Sequence, residues 1–419
     1  MKRDIIYNIM AIVVCIMCIT FQSKQKAQHI RAVQVQNVFW LTGFIVYLFN
    51  IVPYYSINGE VYVSAMLYLI GFNAVFLINP IKKKQTKFNE IAIDCDKQEK
   101  KCILASILCW VVSIPILHKT IPILIMYGPS QGMNALRYRT YGEHTIFSTP
   151  ELMLIDYIIR PILLSTILLM AGEVAQKKCS IRMVIISVLD AFWLILATAG
   201  RSLLVSLVIY VLLGIVLLNG SNIFNIISRY KKYIIPCAVL SIVILQIITK
   251  RINRDNSFVK EGAIYYFSGL PFLSTMIEQD KVQSSVLFGK ATLSFVYDLP
   301  VVFLRIMGIV SANTITAQQY LSGTANDALF VGDNIQTNAT ASTLFAFYSD
   351  FGLIGSLIGG FFLGVFANYI EKNFEKKYNC LNLGRYIFLL SLSMATTQNY
   401  PLTGIPFLMK WIFIYLLLK

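Results

Sequence analysis

Charged side chains are scarce in this sequence, at 14% of 419 residues against 57% hydrophobic ones. That balance excludes an ordinary soluble domain, in which about a quarter of the residues are charged. Histidine is almost absent, with three in the whole chain, His29, His118 and His144. No connecting segment carries a CxxC pair or the Cys/His spacing of a structural zinc site, so no metal is expected and haem or iron–sulfur ligation is excluded with it. Of the eight cysteines, Cys15, Cys18, Cys109 and Cys237 fall in apolar stretches, and Cys95, Cys102, Cys179 and Cys380 in basic connecting segments. None stands in 127–150 or 250–342, a distribution that argues against disulfides. Strand alternation long enough to build a sheet is missing, as are internal repeats.

What remains is a series of apolar stretches. A helix needs about 20 apolar residues to cross a hydrocarbon core roughly 30 Å thick, and open strands or loops cannot cross it. Eleven stretches qualify: 5–21, 37–57, 61–79, 103–126, 151–172, 183–199, 203–218, 233–249, 343–370, 386–399 and 403–418. The expected fold is an all-α polytopic membrane protein, residues 1–419 forming a single transmembrane domain. The first stretch lacks a small-residue cleavage site and is expected to be retained as a helix.

Basic residues outnumber acidic ones, giving a net charge of +15. In a soluble protein that excess would point to nucleic acid. Here it sorts by segment: 21 of the 36 Lys and Arg fall in 22–32, 80–102, 173–182, 219–232, 371–385 and at Lys419. Such sorting orients membrane proteins, basic segments inside, so nucleic acid is not an expected partner. The connections are short apart from a Lys-rich segment, 80–102, expected in the cytoplasm, and a long one, 250–342, expected on the other side. Within the long segment, 286–310 is apolar but broken at Asp298-Leu299-Pro300, which predicts a re-entrant or surface-lying helical hairpin. The side of the N-terminus stays open, because Lys2 and Arg3 compete with Lys24, Lys26 and Arg31. Gly352, Gly355, Gly359, Gly360 and Gly364 predict close helix packing.

The basic residues differ in kind between the two sides. The segments assigned to the cytoplasm hold 17 Lys and 4 Arg, whereas the outer side beyond the N-terminal head holds 7 Arg and 6 Lys. Orientation needs only charge, while two-pronged binding of phosphate needs the guanidinium fork. Arg137, Arg139, Arg201, Arg251 and Arg254 are therefore candidate diphosphate ligands, and Arg160 is expected to pair with Asp156 one turn earlier. Around Arg137 and Arg139, Tyr138 and Tyr141 supply ring faces for sugars, as do Tyr265 and Tyr348. Asp350, Glu143 and His144 are the candidate acid–base groups, in that order.

At Ala199-Gly200-Arg201-Ser202, Ile264-Tyr265-Tyr266-Phe267-Ser268-Gly269-Leu270-Pro271, Thr337-Asn338-Ala339-Thr340 and Phe347-Tyr348-Ser349-Asp350-Phe351-Gly352-Leu353-Ile354-Gly355, the chain resembles the Wzy-type oligosaccharide repeat unit polymerases that make O-antigen and capsule. The similarity runs from about residue 100 to 400. It implies a cofactor-free, metal-independent enzyme of the C-type glycosyltransferase superfamily in a bacterial cytoplasmic membrane, with its site facing the periplasm or exterior. Its substrate would be a polyprenyl-diphosphate-linked oligosaccharide, and a chain-length regulator protein an accessory partner. An O-antigen ligase looks alike but carries a histidine in its large outer loop, and 250–342 has none. A lipid-linked oligosaccharide flippase would have uniformly short loops.

Overall fold

The computed structural model describes residues 2–23, 29–80, 95–141, 146–176, 178–198, 200, 202–219, 258–282, 287–311, 314–326, 329–337 and 341–419. Among these the chain is almost wholly helical. Five helices are long and apolar enough to cross a membrane, and six if the bent pair 96–112 and 114–126 counts as one. Shorter apolar helices coincide with four further expected stretches. The stretch 233–249 lies outside the described residues. In such apolar sequence the helix prevails because it satisfies every backbone polar group within the segment.

The chain divides into two compact units. Unit 1 comprises Met1–Gln85, Asn256–Glu375 and Leu392–Leu408, and unit 2 comprises Thr86–Asp255, Lys376–Ser391 and Met409–Lys419. In unit 1, α1 (Lys2–Ser23), α2 (Ala32–Leu48) and α3 (Gly59–Ile78) pack with the long helix α14 (Ser342–Lys376). Between them in sequence come α10 (Phe258–Phe267), α11 (Gly269–Glu278), α12 (Ser294–Ile306) and α13 (Ala317–Asn326). Glycines set the contact of α3 with α14: a Cβ at Gly360 would stand 2.2 Å from the Tyr68 carbonyl oxygen, and one at Gly71 2.3 Å from that of Leu357.

Contacts fix the two ends of unit 1. Gly59 at the start of α3 lies against the ring of Tyr7 near the start of α1, so these helices run the same way. At the far end, Arg31 bonds Glu371 at 2.7 Å and His29 approaches Glu375 at 3.3 Å. Asn368 donates to the Asn79 carbonyl. Burial and the neighbouring Arg31 push His29 down to about 4. Lys2 and Arg3 therefore start at the end that carries α11 and the 49–58 connection, opposite the basic end.

Four expectations need correction. A small antiparallel hairpin, β1 (Leu329–Gly332) and β2 (Ile335–Thr337), occurs in the long segment. Its strands are too short to show alternation, and its partner comes from far away, with Tyr55 donating to the Val331 carbonyl. The stretch 103–126 is not straight: α4 (Asp96–Val112) and α5 (Ile114–Tyr141) meet at 63°. Ser113 takes back-bonds to Cys109 and Trp110 there, just before the helix-restarting Pro115. Continuous α5 also places Arg137 to Tyr141 on a helix rather than in an open loop. Finally, Cys95 and Cys380 form a disulfide in unit 2, joining positions 285 residues apart. Sequence distance hides that approach, which arises because Cys95 precedes α4 and Cys380 opens α15 (Cys380–Ala395).

Unit 2 is otherwise built from α4, α5, a helical rod of α6 (Thr149–Leu154), one π-turn (Ile155–Ile159) and α7 (Arg160–Ala175), then α8 (Ile181–Thr198) and α9 (Ser202–Asn219), with the end of α16 (Gly404–Leu418). The π-turn precedes Pro161, and Arg160 pairs with Asp156 at 2.9 Å, the ion pair expected from their spacing.

Two measurements check this packing. Gly360→Leu is expected to lower the thermal unfolding midpoint in detergent, with a cost of about 1 to 3 kcal/mol or more for overpacking, whereas Gly262→Leu, which faces open space, leaves it nearly unchanged. Alkylation of unreduced protein followed by peptide mass analysis is expected to recover Cys95 and Cys380 as one cross-linked species; both recovered as alkylated thiols would remove the bridge.

Candidate functional site

Helix α14 is interrupted at Phe351 and Gly352, where Gly352 takes φ 60 and ψ −141. A left-handed φ of this kind suits glycine and few other residues. After the break the chain folds back across its own first turns, so that Phe347 lies against Gly355 and Gly359. A helix broken in apolar surroundings needs its freed polar groups bound again. Ser349 supplies its carbonyl to the Leu287 amide at 3.1 Å.

Asp350, the last residue before the break, is fully buried. Its Oδ1 accepts from the Ala291 amide at 3.0 Å, and its Oδ2 from the Thr292 amide at 2.7 Å and the Thr292 hydroxyl at 2.6 Å. Thr292 also offers its carbonyl to the Tyr400 hydroxyl, and Ser294 Oγ accepts from the Gly404 amide at 3.0 Å. The carboxylate thus ties the break to the turn that leads into α12. Three donors on two oxygens describe a fixed anchor.

One turn to the side, the Tyr348 hydroxyl donates to Glu60 Oε1 at 2.9 Å. Glu60 stands in the first turn of α3, where the N-terminal dipole favours a carboxylate. Asn58 caps that turn, accepting from the Glu60 amide at 3.0 Å, and its own amide donates to Ser274 Oγ at 2.8 Å. Glu60 is half-buried, and among the described residues nothing hydrogen-bonds its second oxygen. Sequence reasoning missed this group, because an acid after Asn-Gly reads as ordinary helix-start chemistry.

Beneath this pair three chain interruptions meet. The Ser342 amide donates to the Gln398 carbonyl and the Thr343 amide to that of Thr396, both at 2.9 Å. Gly269, the first residue of α11, presses on the Thr397 carbonyl so closely that a Cβ would stand 2.3 Å from it. Trp40 Nε1 donates to Thr396 Oγ1 at 3.0 Å, and the rings of Trp40 and Tyr68 are 5.4 Å apart. Among the described residues, the buried Thr343 hydroxyl, Gln36 amide and Tyr68 hydroxyl have no hydrogen-bond partner of good geometry. Each such group costs about 1 to 3 kcal/mol if it stays dry. This is a polar floor of neutral oxygens and aromatic rings.

The remaining candidates fall as follows. Tyr265 is exposed, its ring 5.1 Å from Tyr266, which packs on Phe39. Arg139 is exposed on α5 in unit 2, and its carbonyl accepts from the Ile146 amide. Arg137, Tyr138 and Tyr141 share that helix. Glu143, His144, Arg201, Arg251 and Arg254 lie outside the described residues. Arg305 is spent locally on the Thr314 carbonyl and Gln319, closing the turn between α12 and α13. Asp298 accepts the Ala317 and Gln318 amides at 2.9 Å each, capping α13, while burial pushes its carboxyl up. No His, Cys, Asp and Glu cluster among the described residues could hold a metal ion.

The anchor predicts that Asp350→Asn destabilises the protein by about 1.5 to 3 kcal/mol, because an amide nitrogen would face donors where the carboxylate accepted. The unfolding midpoint measures this, and an unshifted midpoint would release Asp350 from that role. Compared with protein-family models, curated proteins and solved structures, the chain matches none.

Proposed function

We propose that this chain is a polymerase of lipid-linked oligosaccharide repeat units, of the Wzy type that its sequence resembles. The observation that carries the reading is the half-buried Glu60 carboxylate, held by Tyr348 beside the anchored Asp350 break at the end of unit 1 that bears α11. In the proposed topology the chain has eleven spans in a bacterial cytoplasmic membrane, with 80–102, 173–182, 219–232 and 371–385 inside and 128–150 and 250–342 outside. The grouping of 29–31 with 371–375 at one end of unit 1 supports that arrangement.

In the proposed reaction a hydroxyl of the incoming lipid-linked unit attacks the anomeric carbon of the growing glycan. The new glycosidic C–O bond forms as the bond to the polyprenyl diphosphate breaks. The hydroxyl proton goes to a carboxylate, and the diphosphate leaves on its lipid. Glu60 is the proton acceptor we favour among the described residues, because one of its oxygens is open while both oxygens of Asp350 are engaged. Asp350 then acts as a positioning residue that holds Tyr348. Glu143 and His144 are the other acid–base candidates. Arg137, Arg139, Arg201, Arg251 and Arg254 are the proposed diphosphate ligands, stabilising charge on the leaving group without a metal. Tyr138, Tyr141 and Tyr265 would offer faces to the sugars, whereas Tyr348, expected from the sequence to do the same, is buried and bonded to Glu60.

The test is the surface polysaccharide of a deletion strain on a gel, complemented with variants. A single repeat unit on the anchor is expected for the deletion and for Glu60→Gln, with normal expression of the variant. Long chains retained on the lipid carrier would make the protein a ligase, and an absence of external product would make it a flippase. Full-length polymer with Glu60→Gln would remove Glu60 from the chemistry and return the assignment to Glu143 and His144.

A further inference from the structure

Two acids in the apolar helices are held by arginine: the buried Glu371 by Arg31 at 2.7 Å and the half-buried Asp156 by Arg160 at 2.9 Å. Asp190 is handled differently. It sits at the middle of α8 and is fully buried, and its partners are neutral: Ser106 Oγ donates to Oδ2 at 2.8 Å and Trp110 Nε1 to Oδ1 at 3.0 Å. An ionisable group in an apolar helix bundle marks function by default, because a charge without a counter-ion there is costly. Neither Ser106 nor Trp110 requires a carboxylate, since each needs only an acceptor.

The surroundings of Asp190 form a row. On α4, Glu99, Cys102, Ser106 and Trp110 follow one another at three- and four-residue spacing, which puts them on one helical face. Ser106 exchanges a 3.1 Å hydrogen bond with Thr166 on α7, and Cys102 faces the same threonine. At the end of the row that carries the chain reversal between α7 and α8, Glu99 accepts from Ser180 at 2.6 Å, and Glu173 and Cys179 face each other. Glu99 is half-buried, open to solvent at that end. The other titratable groups along the row are Cys102 and Cys109 on α4, about one turn either side of Ser106, and Glu173 on α7, two turns from Thr166. On the other side of Asp190, α5 carries His118 and Lys119, the latter paired with Glu151, and α8 itself carries Arg182 in its first turn.

We propose that Asp190 is a proton-binding site inside unit 2, loaded and emptied through the Cys102–Thr166–Ser106 row from the Glu99 and Glu173 end. The ligand is the proton itself, taken from water at that end and returned to it, so no other reactant is needed. The row gives hydroxyl and thiol groups that can each accept and donate. The inference stands independently of the glycan chemistry.

Infrared difference spectra of the purified protein in lipid, recorded across pH, test it. The carbonyl stretch of a protonated, buried carboxyl is expected at low pH, is lost as pH rises, and is missing in Asp190→Asn. Should that variant fail to fold, Ser106→Ala serves instead. It removes a donor that favours the charged form, so the same band is expected to persist to higher pH. Thr166→Val is expected to slow exchange of that proton for deuterium. A band absent at every pH at which the protein is folded would identify a permanent carboxylate and overturn the proposal. So would a band that never disappears, or one displaced by sodium at constant pH, which would make the site a cation site.

Discussion

A helix that stops inside an apolar bundle leaves amide and carbonyl groups that water does not reach, and each must find another partner. Within unit 1 helices end at Phe267 and Ala395, one begins at Ser342, and one breaks at Phe351. Everything distinctive about the unit follows from how those ends are tied. Two interrupted backbones bind each other where Ser342 and Thr343 meet Gln398 and Thr396. The last break is tied by Asp350, whose carboxylate gathers three donors from the turn that starts α12. A neutral side chain has too few acceptor sites to do that.

Fixing the break at Gly352 has consequences along the chain. It turns α14 back on itself, so the small residues that follow are committed to contacts: Gly355 and Gly359 with Phe347, Gly360 and Gly364 with α3. It also leaves Tyr348 aimed at Glu60, which joins the start of α3 to the first part of α14. Close packing and polar positioning are therefore one arrangement, in which the glycines permit the approach and the carboxylates define its register. Unit 2 shows a different balance. It has a covalent tie between positions 285 residues apart, and its fully buried Asp190 is met by hydroxyl and indole donors in place of backbone amides.

Much of this was legible in the sequence. Hydrophobic length identified the helices, because in apolar surroundings length and composition alone decide whether a segment can span. The Asp156 and Arg160 pair followed from a four-residue spacing, and the glycine stripe announced close packing. Asp350 stood out as an acid within an apolar run, but its role depended on Ala291 and Thr292, which are 59 and 58 residues away. The pairing of Cys95 with Cys380 likewise had no local signal.

By itself the sequence determined the helical class, the positions of the apolar stretches and the sorting of charge, since these rest on local composition and on spacing within a turn or two. Only the tertiary structure decided which acids are anchors and which are open, that α1 starts at the same end as α3, and which side chains hold Glu60 and Asp190. Those properties depend on partners from distant segments: a carboxylate has no fixed meaning until its donors, counter-ions and exposure are set by the packing around it.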